Sequence, residues 1–105
     1  MAKEYISLGG VQYRVEANWN ATVAFLKFKG TDDIAAFTDI ANLKPSDLAP
    51  LFAACVNEGE RLEGHEVSFT PEEVGAVATM TEMSEFLRIF VAQIAPAVAP
   101  DKKKD

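Results

Sequence analysis

Residues 18–30 read Asn-Trp-Asn-Ala-Thr-Val-Ala-Phe-Leu-Lys-Phe-Lys-Gly, a helix whose two ends are both written into the chain, and this constrains the fold more than any other stretch. The Asn18 side chain can accept one of the first-turn N–H groups that have no carbonyl partner within a helix. Gly30 closes the segment, because a left-handed residue costs glycine least, and Lys27 and Lys29 sit where the helix dipole favours cations. Between these signals Trp19, Val23 and Leu26 share one face, extended by Thr22, Phe25 and Phe28 at three- and four-residue spacing. The expectation is a helix that buries a broad aromatic surface, with the rest of the fold built around it.

Whether the chain can supply that surrounding core is a matter of length and composition. A chain of 105 residues with 49% hydrophobic and 25% charged residues can bury roughly two-thirds of its unfolded surface without a disulfide or metal. One globular domain over residues 1–97 is expected, followed by a flexible charged tail over 98–105. No apolar run approaches the roughly 20 residues of a spanning helix, and Met1-Ala2-Lys3-Glu4-Tyr5 has no secretion-signal core, so a cytoplasmic protein without a membrane partner is expected. The net charge of −6 is uneven: residues 31–100 carry −9, while residues 1–30 carry +2. A duplex-binding protein needs clustered Lys and Arg, so nucleic acid is excluded as a partner.

Taken in order, the chain opens with a hairpin. Glu4–Leu8 and Val11–Glu16 flank Gly9-Gly10, and Ile6, Leu8, Val11, Tyr13 and Val15 alternate onto one buried face. Its outer edges are expected to be open to another chain. After Gly30, residues 31–40 read as a short helix with Ile34, Phe37 and Ile40 inside, broken by residues 42–45. The next helix is expected to start near Asp47, because Pro50 then falls in the first turn, and to run through Leu48, Leu51, Phe52, Cys55 and Val56 to about Leu62. Gly59 weakens it by roughly 1 kcal/mol relative to alanine. Thr70-Pro71-Glu72-Glu73 is the sharpest local signal, a capping box with proline at the first helical position. A last helix carries Met83, Phe86, Leu87, Phe90, Val91 and Ile94, with Pro96 expected to end it. The fold class is therefore α+β, mainly α: an N-terminal hairpin followed by about five helices in a small bundle.

No catalytic, cofactor or metal constellation accompanies this pattern. The single cysteine, Cys55, falls on an apolar stripe where burial disfavours the thiolate, and His65 stands at a helix-to-strand corner with no matching nucleophile. Glu58, Glu60, Glu63 and Glu66 lack the loop spacing of a calcium site. Gly9-Gly10 precedes a strand rather than a helix N-terminus, so it is not a phosphate loop.

The order of these pieces resembles a known family. A glycine-centred hairpin (residues 5–14), an asparagine-initiated helix ending at Gly30, the helix containing Leu48-Ala49-Pro50-Leu51-Phe52-Ala53-Ala54-Cys55, then Phe69-Thr70-Pro71-Glu72-Glu73-Val74-Gly75 and a final helix are similar to the tail assembly chaperones of long-tailed bacteriophages and prophages. The resemblance spans residues 4 to about 96. It implies a non-enzymatic protein without cofactor that acts in the bacterial host cytoplasm and is absent from the mature virion. Such a protein binds the tape measure protein and helps recruit tail tube subunits. It also implies that the Lys102-Lys103-Lys104 codons could support a frameshifted longer product.

The surfaces expected to carry protein contact or self-association into a homo-oligomer are the hairpin edge, with Tyr5, Tyr13 and Arg14, and the last helix, with Met83, Phe86 and Phe90. A small structural tail component is an alternative, disfavoured by the helix count. An acidic helical adaptor is another.

Overall fold

The computed structural model describes residues 3–31 and 44–98. Glu4–Leu8 (β1) and Val11–Val15 (β2) form an antiparallel hairpin with Glu4 opposite Val15 and Leu8 opposite Val11. Its turn is made by Gly9 and Gly10 at φ 62° and 86°, values that a two-residue hairpin loop requires and that side chains disfavour. Ile6, Leu8 and Val15 are buried as their alternation requires, and Tyr13 is partly covered. Val11 departs from the pattern: beside the turn, it is exposed.

Trp19–Lys29 (α1) has the expected ends. Asn18 Oδ1 accepts the Ala21 N–H at 3.0 Å, and Gly30 closes the helix at φ 75°. Its buried face, however, is Ala21, Thr22, Phe25 and Leu26, while Trp19 is 68% exposed and Val23 and Phe28 also face outward. The reason lies in the cap. Asn18 Nδ2 donates to Glu58 at 2.7 Å, which fixes the rotation of α1 against the following helix and turns Trp19 and Val23 away from the core.

That following helix, Pro45–Leu62 (α2), occupies the central position expected of α1. It packs on α1, β2 and both later helices, and residues 50–56 are buried without a break. Small residues make this feasible, since Ala53, Ala54 and Gly59 let neighbours approach the backbone closely. The helix starts two residues before the expected Asp47. Asp47 Oδ2 accepts the Lys44 N–H at 2.9 Å and its other oxygen pairs with Lys29, so the acid supports the first turn from inside it. Pro50 consequently lies within the helix. It forfeits the donor that would reach the carbonyl of Ser46, an exposed residue where water can replace the bond.

Pro71–Val77 (α3) opens with the capping box read from the sequence: Glu73 N–H donates to Thr70 Oγ1 at 3.1 Å, and Thr70 N–H to Glu73 Oε1 at 2.8 Å. Met80–Val98 (α4) repeats the device with Thr79 and Glu82, both bonds 3.0 Å. It continues past Pro96 to Val98, contrary to expectation; the proline forfeits one bond, to the carbonyl of Ala92, an exposed residue where water can replace it. Among the described residues four helices follow the hairpin. The expected helix over 31–40, apart from Thr31, and the expected tail, apart from Val98, lie outside the described residues. The core is aromatic at its centre, with Phe52 and Phe86 stacked at 4.6 Å and Phe90 5.9 Å from Phe86. No helix among the described residues is long and apolar enough to cross a membrane.

Candidate protein-interaction surface

Three carboxylates at the end of α2 hold the elements that frame the surface. Glu58 receives Arg61 through Nε and Nη2 at 2.9 and 2.8 Å, together with the Asn18 and Asn20 side-chain amides. Arg61, and then the two asparagines, hold its pKa down to about 2 against the opposing effect of burial. Glu60 accepts the Arg14 backbone N–H at 2.8 Å and lies 2.7 Å from His65 Nδ1. Glu63 collects Lys3, Arg14 and the Tyr5 hydroxyl, with Lys3 the leading cause of its lowered pKa. Between Glu58 and Glu60, Gly59 stands directly against the Arg14 carbonyl, and the Glu16 N–H donates to Cys55 O at 3.1 Å. The outer edge of β2 is thus closed by α2, which corrects the expectation that both hairpin edges are open.

The titratable groups of this region serve the fold. Burial, followed by the charges of Glu16 and Glu58, pushes the Cys55 thiol far above its ordinary pKa, so it is unreactive. A cavity of about 530 Å³ opens between α1, α2 and the extended residues 65–68. Its Glu58, Asn20 and Arg61 groups bond one another, and Asn57 is occupied at both ends by the Phe69 backbone at 2.8 and 3.0 Å.

The six residues singled out from the sequence are placed very differently. Tyr5 is 46% exposed on the hairpin, with its hydroxyl on Glu63. Arg14 is mostly covered, spread across Glu63 and Glu16, and Tyr13 packs edge-on against Phe69 at 5.2 Å. Met83 is partly buried against the core, while Phe86 and Phe90 lie fully inside it. Those two rings are therefore core, not contact surface, because they complete the stack begun by Phe52.

The exposed apolar side chains lie elsewhere. Trp19 and Val23 are one turn apart on α1 and Phe28 is near its end, Val11 adjoins the hairpin turn, where Val77 packs against Gly9, and Leu62, Met80 and Val91 are exposed as well. Helical spacing alone could not reveal Trp19 and Val23 as outward, since the rotation of α1 is set by the Asn18–Glu58 bond across 40 residues. Gln93, also unforeseen, bridges Ala17 N–H and Val15 O at 2.7 and 3.0 Å and ties α4 to the end of the hairpin. Comparison with known proteins finds no matching family model, no matching curated protein and no matching solved structure.

Proposed function

We propose that this chain is a non-enzymatic protein-binding chaperone of phage tail assembly, which holds a tape measure protein in the host cytoplasm and helps bring tail tube subunits to it. The observation that carries this reading is the outward-facing Trp19 and Val23 on α1, an aromatic and an aliphatic side chain left uncovered on a rigid helix. Such a pair on a helix suits the apolar stripe of a helical client, which buries area at both members. The framework beneath is fixed by Asn18, Glu58 and Arg61, so the surface is preorganised and its binding cost is low. The acidic body supplies solubility to the complex, and the order of the sequence motifs resembles that of the tail assembly chaperones.

Co-expression with the largest protein encoded beside its gene tests the reading. The neighbour is expected to become soluble and to co-purify with this chain, and Trp19→Ser is expected to abolish the complex while leaving the fold intact. A neighbour that is soluble alone and does not bind would overturn it.

A further inference from the structure

The outward face of α1 carries a charge beside its apolar side chains. Trp19, Val23 and Lys27 follow one another at four-residue spacing along one ridge of the helix, all three exposed, while Ala21, Thr22, Phe25 and Leu26 face inward. Every other described lysine and arginine is engaged by a carboxylate: Lys3 and Arg14 by Glu63, Lys29 and Lys44 by Asp47, Arg61 by Glu58 and Arg88 by Glu85. Lys27 has no such partner among the described residues, although the chain carries 16 acidic residues against 10 Lys and Arg. An acidic protein thus leaves one ammonium uncommitted on the ridge where it also leaves two apolar side chains uncovered.

The place of that ammonium gives the ridge a direction. Lys27 lies in the last turn of α1, roughly 12 Å along the axis from Trp19. Helices favour carboxylates in their own first turn, and the negative end of α1 favours the positive N-terminal end of a neighbouring helix. We infer, resting on the reading of α1 as the client surface, that the client segment is an amphipathic helix lying antiparallel to α1, with a carboxylate of its first turn on Lys27 and its apolar stripe on Val23 and Trp19. Its sequence then carries an acid, an apolar residue one turn later and another two turns later. The charge pair sets the register and the apolar pair supplies the buried area.

Carbodiimide crosslinking, which joins an amine to a carboxylate in contact with it, tests this on the co-expressed complex with the large protein encoded beside the gene. Lys27 is expected to be joined to an Asp or Glu of that protein. A benzoylphenylalanine photocrosslinker in place of Trp19 is expected to label it about two turns C-terminal to the same acid. Lys27→Glu is expected to weaken the complex roughly tenfold and Lys27→Met about threefold. Arg88→Glu, the same change of charge on α4, is expected to leave it unchanged, and thermal unfolding checks that each variant is folded. No link at Lys27, a label N-terminal to the acid, full binding by folded Lys27→Glu when Trp19→Ser has lost it, or an equal loss in Arg88→Glu would overturn the inference and leave the reading of α1 standing. A neighbour that does not bind, or a complex that survives Trp19→Ser, would overturn both.

Discussion

Replacing Gly59 by alanine sets two effects of opposite sign against each other. Alanine in a helix interior gains about 1 kcal/mol over glycine through backbone entropy. At this position, however, the added Cβ would lie 2.2 Å from the Arg14 carbonyl oxygen and 2.5 Å from its carbon, both main-chain atoms that no rotamer change can move. The strand and helix must therefore separate, and the two bonds that join them nearby, Arg14 N–H to Glu60 at 2.8 Å and Glu16 N–H to Cys55 O at 3.1 Å, stretch together. Overpacking costs about 1–3 kcal/mol and each of the two weakened hydrogen bonds about 1 kcal/mol, so after the propensity gain the net change is a destabilisation of about 2–4 kcal/mol. For a domain of this size that lowers Tm by at least about 10 °C. Gly75, in α3 with nothing within 4 Å of its would-be Cβ, is the internal control: Gly75→Ala is expected to stabilise by about 0.5–1 kcal/mol. Urea titration followed by circular dichroism measures both. A Gly59→Ala chain as stable as the native one would refute the close docking of β2 on α2.

Glu58 links stability to pH. Its folded pKa, about 2, lies below the ordinary carboxylate value, so the stability it contributes is fully present above about pH 4.5 and is lost as pH falls toward 2. Partial solvation of Arg61 limits the effect to about 1–3 kcal/mol, and Glu58→Gln is expected to flatten that part of the acid-unfolding profile. Phe86→Ala should cost about 3–5 kcal/mol in urea unfolding, since it empties the centre of the Phe52–Phe86–Phe90 cluster. Thr70→Ala removes the acceptor for Glu73 N–H and should cost about 1 kcal/mol, read as a lower urea midpoint with unchanged slope.

The elements legible in the sequence were those whose signals are local. The Gly9-Gly10 turn, the Asn18 and Gly30 caps and the Thr70–Glu73 box each act within a few residues, and each stands where the sequence puts it. What sequence spacing could not supply was the orientation of those elements against one another. Trp19 and Phe86 look alike as aromatic members of helical stripes, yet one faces outward and the other is buried. The difference is made by Asn18 meeting Glu58 and by Phe86 meeting Phe52, contacts between distant parts of the chain. Gly59 is the sharpest case. By propensity it reads as a weak point of α2, but in the fold it is where β2 docks, and the close approach outweighs the entropy. Pro50 is similar, because burial of the surrounding helix on several sides holds a residue that the first-turn rule would have moved.

The functional account rests on α1 presenting Trp19 and Val23 to a client. The most direct measurement is co-purification of the full chain, native and Trp19→Ser, with the large protein encoded beside its gene, with thermal unfolding of both chains alongside. The account predicts that the native chain holds the neighbour in solution, that Trp19→Ser loses it, and that the two chains unfold within a few degrees of each other. Retention of the neighbour by a folded Trp19→Ser chain would contradict the role given to α1.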